Sequence, residues 1–119
     1  MSKEKPVVLY AEDEDLIRVL VTKFLSKHFE VLTACNGSEA LDIYKSTGAD
    51  ILVTDLTMPQ MNGIELIKAL KEINSELPVF VTTAHSEEYA SIDGVTEIYA
   101  KPIDCKSMIA HIKEHLHIS

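Results

Sequence analysis

The chain has 119 residues, which is enough for one domain with a single layered core and too few for two. Its 19 acidic residues outnumber 11 lysines and arginines, and the net charge of −8 argues against a nucleic-acid or anionic-membrane surface, since both need a basic patch. No stretch approaches the roughly eighteen apolar residues of a membrane span, and 2 cysteines without a disulfide framework fit a reducing compartment. We therefore expect a cytoplasmic protein whose partners are proteins or cations.

Short apolar runs alternate with amphipathic stretches along the whole chain. This alternation is typical of a parallel sheet covered by helices on both faces. Runs rich in Val, Ile and aromatic residues predict strands over residues 6–11, 30–33, 51–54, 79–82 and 97–100. The second run is the weakest and predicts an edge strand. The predicted fold class is α/β, with a doubly wound, five-stranded parallel sheet.

The stretches between these runs have helical patterns of unequal strength. Apolar residues at helical spacing mark the first helix and predict a stripe facing the sheet: Ile17, Leu20, Val21, Phe24 and Leu25. The second and third helices are predicted to begin at Asn36 and Asn62, because each Asn has a Glu three positions on, as in a capping box. Asp104 is the predicted cap of the last helix, whose inward residues are Met108, Ile109, Ile112 and Leu116. Residues 86–94 are poorly patterned and predict a shortened fourth helix.

Charged residues end three of the predicted strands. Glu12 and Asp13 follow the first run, Asp55 follows the third, and Lys101 follows the fifth. Because open α/β sheets place their ligands at the carboxyl ends of the strands, we expect these four side chains to meet in one crevice.

Three carboxylates at such close range repel one another unless a hard cation holds them. Mg²⁺ is the expected ion, since it takes oxygen ligands and needs only a few carboxylates. Beside Mg²⁺, Asp55 is placed to attack a phosphoryl group while Lys101 and the metal neutralise charge on the equatorial oxygens. The product of that reaction is an aspartyl phosphate.

Five motifs at successive strand ends resemble those of the bacterial response-regulator receiver family, in order and over essentially the whole chain. They are Glu12-Asp13, Asp55 with Met58-Pro59, Met61-Asn62-Gly63, Thr83-Ala84 and Lys101-Pro102. The resemblance is to chemotaxis-regulator-like, single-domain members, and it implies one receiver domain over residues 1–119. It also implies a flavodoxin-like (βα)5 fold, here with a shortened fourth helix.

The resemblance implies a role for each site residue. Asp55 is the implied phosphoacceptor, and Thr83 and Lys101 are implied to contact the phosphoryl oxygens and to couple modification to shape. The implied Mg²⁺ ligands are Glu12, Asp13, Asp55 and the backbone carbonyl of Thr57. The module would assist its own phosphorylation and dephosphorylation, and we do not expect it to be an enzyme acting on other substrates.

The resemblance also implies the partners of a two-component phosphorelay. The phosphoryl donor would be a phosphohistidine on a sensor histidine kinase or on a histidine phosphotransfer protein. The phosphorylated module would switch protein–protein interactions or pass the group along a relay. Its target would be a downstream protein or an output domain beyond Ser119, with no nucleic acid or membrane contacted by this domain.

Two departures from the family pattern concern signalling rather than phosphorylation. Counting from Lys101 puts Ile98 where the family has its rotating aromatic residue, and Tyr99 stands one place later. The segment between Thr83 and Lys101 is also shorter than usual by about one helical turn. The sequence therefore leaves open which of residues 98 and 99 takes the switch role.

Other functions are less consistent with the sequence. A phosphohydrolase that uses Asp55 as nucleophile commonly needs a second acid two residues later, and this chain has Thr57 there. A flavin site needs small residues and free backbone amides where residues 12–15 are acidic. An interaction module without phosphorylation would not need the charged set. His111 and His115, four positions apart, offer a surface metal site or, as we favour, a solvated helix face.

Overall fold

In the computed structural model, residues 5–84, 94–101 and 103–117 are described. They contain five strands: β1 (Val7–Ala11), β2 (Glu30–Ala34), β3 (Ile51–Asp55), β4 (Val79–Thr83) and β5 (Glu97–Ala100). They also contain four helices: α1 (Asp15–Leu25), α2 (Gly37–Thr47), α3 (Gly63–Ile73) and α4 (Cys105–His115). Each predicted strand is confirmed to within one residue at either end. The predicted fourth helix over residues 86–94 falls almost entirely outside the described residues.

All five strands form one parallel sheet in the order β2-β1-β3-β4-β5. The predicted α/β fold class is confirmed, and β2 is an edge strand as expected. The chain adds β2 on one side of β1 and β3 on the other, so the winding direction reverses between β1 and β3. A crevice opens at the carboxyl ends of the strands at such a reversal. Glu12 and Asp55 lie at this crevice, which is where folds of this topology generally bind their ligands.

The core has one layer on each face of the sheet. Alternate side chains of β1 divide between the layers: Leu9 and Ala11 lie on the α2/α3 face, and Val8 and Tyr10 lie on the α1/α4 face. All five residues of β3 are buried, since helices cover both faces of this central strand. This is why the strand reads as an uninterrupted apolar run that stops at a charged residue.

Side-chain caps fix the starts of three helices as predicted. The Asn62 side chain accepts from the Glu65 N–H at 2.9 Å, and the Glu65 carboxylate accepts from the Asn62 N–H at 3.0 Å, which completes a capping box. Asn36 caps α2 and Asp104 caps α4. Each side chain accepts one hydrogen bond from the backbone N–H three residues later. No helix among the described residues is long and apolar enough to cross a membrane.

The packing of α1 differs from the prediction. The residues that pack on the sheet are Ile17, Val21 and Leu25. Leu20 and Phe24 were predicted to face inward, but they are 55% and 44% exposed. With Leu16, which is 82% exposed, they recur at every fourth position along one side of the helix. The prediction was wrong here because α1 is apolar on two sides, and periodicity cannot say which side is covered.

Candidate functional site

The predicted charged residues meet at the carboxyl end of the sheet. Lys101 Nζ lies 3.1 Å from Oε1 of Glu12 and 3.3 Å from Oδ2 of Asp55. The register of the sheet explains this meeting, because Ala11 pairs with Thr54 and the next residues of β1 and β3 therefore end side by side. Lys101 is aligned by its own backbone N–H, which donates to the Thr83 carbonyl at 2.9 Å.

These side chains also lie on one face of the sheet. Successive residues of a strand point to opposite faces, so Glu12 follows Tyr10 onto the α1/α4 face and Asp55 follows Val53 onto it. Lys101 follows Tyr99 in the same way. The three charged groups therefore converge above the layer that α1 and α4 cover.

Asp13 completes an acidic cluster. Carboxylate oxygens of Glu12, Asp13 and Asp55 all lie within 4.8 Å of one another. Glu12 is 0% exposed and Asp55 is 6% exposed, so solvent screens their repulsion poorly. Among the described residues, the cation that contacts these carboxylates is Lys101, and one ammonium group leaves two of three negative charges uncompensated. An all-oxygen donor set with this residual charge fits a divalent hard cation such as Mg²⁺.

The protonation behaviour of the site follows from the same burial. Burial raises the pKa of Glu12, while the Glu14 N–H, which donates to Oε2 at 3.1 Å, opposes the rise. Burial likewise raises the pKa of Asp55, against the lowering effects of Lys101 and of the Leu56 N–H. Burial lowers the pKa of Lys101, but the Asp55 and Glu12 carboxylates outweigh it and raise that pKa overall. The lysine therefore stays charged.

The two threonines of the predicted site belong to different segments, the loop after β3 and the end of β4. Thr57 follows Asp55 by two residues and is exposed, and its backbone N–H helps to lower the pKa of the Asp55 carboxyl group. Thr83 ends β4, is 2% exposed, and contacts Lys101 through its carbonyl.

A tightly held loop connects Asp55 to α3. A Cβ atom at Gly63 would lie 2.3 Å from the carbonyl oxygen of Asp55, so only glycine fits. Gln60 and Met61 have positive φ values of 49° and 78°, and the Met61 carbonyl accepts from the Gly37 N–H at 3.1 Å. The sequence gives no sign that α2 holds the loop.

Arg18 is a further site neighbour that sequence reasoning missed. Its Nη1 donates to the backbone carbonyl of Glu12 at 2.8 Å, and its Nη2 pairs with Asp15 at 2.6 Å. The Asp15 pair has helical spacing and was detectable in the sequence. The contact with Glu12 depends on how α1 docks on the sheet. Arg18 therefore ties the start of α1 to the end of β1.

The family of the chain is shown by its similarity to known proteins. The chain matches the sequence profile of the response regulator receiver domain over residues 8–113. The chain belongs to this receiver domain family. Receiver domains are signalling modules of two-component systems. Membership of this family therefore favours a signalling role over the role of a phosphohydrolase or a flavin protein.

Individual relatives support the assignment. The receiver domain is 31% identical to sporulation initiation phosphotransferase F of Bacillus subtilis, over 98% of this chain and 96% of that relative. It is also 31% identical to hybrid signal transduction histidine kinase D of Dictyostelium discoideum, over 91% of this chain but only 7% of the relative. The crystal structure of response regulator TrrA from Thermotoga maritima in complex with Mg²⁺-BeF superposes with a TM-score of 0.83 at 25% identity, covering 92% of this chain and 97% of that one.

Proposed function

We propose that Asp55 accepts a phosphoryl group from a partner phosphohistidine in an Mg²⁺-dependent reaction. The observation that carries the proposal is the cluster of the buried Glu12 and Asp55 with Asp13, in which Lys101 contacts the two buried carboxylates. Asp55 belongs to this cluster and ends the central strand β3. Phosphorylation would switch protein interactions or pass the group onward.

The ligands proposed for Mg²⁺ are Glu12, Asp13, Asp55 and the backbone carbonyl of Thr57. Support comes from the oxygen-only donor set, from its uncompensated charge, and from the related Thermotoga regulator that was crystallised with Mg²⁺-BeF. When bound, Mg²⁺ would offset negative charge on the carboxylates and on phosphoryl oxygens.

The protein's own groups then perform the transfer. A carboxylate oxygen of Asp55 forms the new O–P bond as the P–N bond of the phosphohistidine breaks, and the imidazole nitrogen keeps the electron pair of that bond. The Leu56 N–H, 2.8 Å from Oδ1, holds the carboxylate in place. Lys101, kept charged by its acidic neighbours, is positioned to neutralise an equatorial phosphoryl oxygen, with Thr83 proposed as a second contact.

The exposed side of α1 is the proposed docking surface for the phosphodonor. Leu16, Leu20 and Phe24 form an apolar stripe on this helix. Leu20 and Phe24 also line a shallow pocket of about 200 Å³ that reaches Lys101. An apolar helical stripe that leads to the site suits a helical partner carrying a histidine, such as a sensor kinase or phosphotransfer protein.

The proposed unit is one receiver domain over residues 1–119. Its relatives include a phosphotransferase that it spans almost completely and a hybrid kinase of which it spans 7%. The domain therefore suits either a single-domain regulator or one part of a longer signalling protein. The free thiols of Cys35 and Cys105 are consistent with a cytoplasmic location.

Incubation with acetyl phosphate tests the proposal. Intact mass is measured with and without Mg²⁺ for the wild type, Asp55→Asn and the matched variant Asp50→Asn. Asp50→Asn is the same substitution at the opposite end of β3. The Asp50 carboxylate accepts a hydrogen bond from the Val7 N–H at 2.7 Å. We expect an Mg²⁺-dependent gain of one phosphoryl group in the wild type and Asp50→Asn only. No gain in folded, Mg²⁺-bound wild type would refute the function.

A further inference from the structure

Tyr99 connects β5 to both neighbouring elements. Its hydroxyl oxygen lies 2.6 Å from Nδ1 of His111 on α4. Its ring stacks on the His111 imidazole at a centroid distance of 5.8 Å and on the Phe80 ring of β4 at 6.0 Å. One side chain therefore joins the last strand of the sheet to the strand beside it and to the helix above it.

Strand β5 needs such an anchor. It has four residues, lies at the edge of the sheet and pairs only with β4 among the described strands. Lys101 follows it directly and must reach across to Asp55. A short edge strand held on one side has fewer stabilising contacts than a central strand, and small displacements of a catalytic group reduce rates strongly.

The two candidates for the switch role, Ile98 and Tyr99, lie on opposite faces of β5. Ile98 packs against the α2/α3 layer, whereas Tyr99 packs against the α1/α4 layer. Tyr99 belongs to β5 and Lys101 is the first residue after it, two positions on, so both lie on the face that holds the acidic cluster. In the sheet, Thr82 pairs with Asp55 on one side and with Tyr99 on the other.

We infer that Tyr99, held by His111, is a positioning residue for Lys101 in the phosphorylation of Asp55. This inference rests on the proposed function. The Tyr99–His111 hydrogen bond fixes the end of β5 and with it the lysine, so movement of Lys101 onto a phosphoryl oxygen is transmitted to α4 by the same bond. The residue at 98 takes no part in this link.

The first test is the rate of Asp55 phosphorylation by acetyl phosphate at saturating Mg²⁺. Tyr99→Phe keeps the ring stacking but removes the hydroxyl, and we expect the rate to fall about fivefold, the effect of about one hydrogen bond. The matched control is Tyr44→Phe, which removes a hydroxyl bonded to Asn74 at 3.3 Å on the other face of the sheet. The rate of the control and the Mg²⁺ affinities of both variants should match the wild type.

A double-mutant cycle separates positioning from general structural damage. If Tyr99 acts through Lys101, Tyr99→Phe has no further effect in a Lys101→Met background. The same fivefold loss in both backgrounds, or no loss from Tyr99→Phe alone, overturns the inference. Absence of any phosphorylation in the wild type removes the proposed function and this inference with it, which is a different result from an additive cycle.

A second measurement does not depend on rates. Ring ¹⁵N chemical shifts of the histidines are recorded with and without Mg²⁺ and beryllofluoride. Because coupling is reciprocal, occupation of the site should shift the His111 Nδ1 resonance, and Tyr99→Phe should abolish the shift. His115, which meets the edge of Phe80 instead, is the internal control. A His111 resonance that stays fixed, or moves no more than that of His115, while beryllofluoride binds overturns the inference.

Discussion

Lys101 Nζ lies 3.1 Å from Oε1 of Glu12, a residue 89 positions earlier in the chain. Glu12 is fully buried, so its charge has little access to water and depends on neighbouring cations. Lys101 cannot satisfy it alone, because the same ammonium group lies 3.3 Å from Asp55. The residues that follow β1 and β5 therefore form an ion pair, and one of the two negative charges beside Lys101 stays uncompensated. A second cation would neutralise that charge.

Glu12→Gln tests whether the buried Glu12 carboxylate contributes to Mg²⁺ binding. It removes one buried negative charge, and we expect Mg²⁺ affinity to fall by at least about tenfold, since even outer partners of a metal site have effects of that size. Isothermal titration with MgCl₂ measures the affinity. Glu14→Gln, at an exposed acid two residues on, is the control for general loss of charge. Equal losses in both variants would mean that overall charge, rather than ligation by Glu12, attracts the ion.

The stability of the metal-free protein should depend on these carboxyl groups. Burial raises the pKa of Glu12 and Asp55, so the folded state holds protons more tightly than the unfolded chain does. The stability that this provides is fully present below the ordinary values of 4.5 and 3.8, and it is lost as the pH rises through the folded values. In EDTA, these groups should make the free energy of unfolding increase as the pH falls from neutral towards their ordinary values of 4.5 and 3.8.

Urea unfolding of the wild type and of Glu12→Gln isolates this contribution. His28, whose pKa is lowered by burial, opposes the trend in the same window, but it is common to both proteins and cancels in the comparison. The lowered pKa values of Glu39 and Asp104 also oppose the trend, near and below their ordinary values of 4.5 and 3.8, and they cancel in the comparison in the same way. We expect a smaller gain on acidification in the variant, and in the wild type with saturating Mg²⁺. Identical pH profiles would contradict the prediction.

Gly63→Ala should disturb the phosphoacceptor as well as the fold. The new Cβ would lie 2.3 Å from the Asp55 carbonyl oxygen, and overpacking of this kind costs about 1–3 kcal/mol. Because the displaced backbone carries Asp55, phosphorylation by acetyl phosphate should also slow. Gly48→Ala is the control: with φ at 75° and no atom within 4 Å, it strains only its own backbone. A slower rate in both variants would indicate a general effect of instability.

Much of the site was predictable because its charged residues follow apolar runs of the sequence. Strand β3 is buried throughout and begins with three apolar residues before Thr54 and Asp55, and the other charged residues likewise follow apolar runs. Parallel pairing then brings those ends together without any further information. Helix starts were predictable for a similar reason, since Asn36 and Asn62 satisfy backbone donors that no other local group can reach.

The remaining features depend on how elements dock. Leu20 and Phe24 have the spacing of core residues, yet they are exposed, because α1 packs through its other apolar side. The face occupied by Tyr99 follows from the register of β5, which the sequence does not specify to one residue. The contact of Arg18 with the Glu12 carbonyl depends on the docking angle of α1.

Leu20→Asp should separate partner recognition from chemistry. Leu20 is 55% exposed, so the change should alter stability by no more than about 0.5 kcal/mol. Transfer from a phosphorylated histidine kinase of the same genome should fall about tenfold if α1 is the docking surface. Phosphorylation by acetyl phosphate should be unchanged. Ile73→Asp, 51% exposed on α3, is the control. Equal transfer to both variants would place the docking surface elsewhere.

Tyr10→Phe should stabilise the protein. The Tyr10 side chain is fully buried two residues before Glu12, and its hydroxyl has no hydrogen-bond partner within the described part of the chain. Burial of the phenol, with the nearby Glu12 and Asp55 charges, raises its pKa far above the ordinary value. Removing an unsatisfied buried hydroxyl while keeping the ring should increase the free energy of unfolding by roughly 1 kcal/mol.

Chemical denaturation of Tyr10→Phe alongside Tyr44→Phe checks this prediction. Tyr44 accepts a hydrogen bond from Asn74, so its substitution should lower stability slightly or leave it unchanged. Opposite signs for the two variants are the expected result. If Tyr10→Phe is also destabilised, the hydroxyl has a partner, which is either an ordered water or a group outside the described residues, because a buried polar group gains stability only through a partner. The Mg²⁺ affinity of the variant would then report whether that partner also supports Glu12.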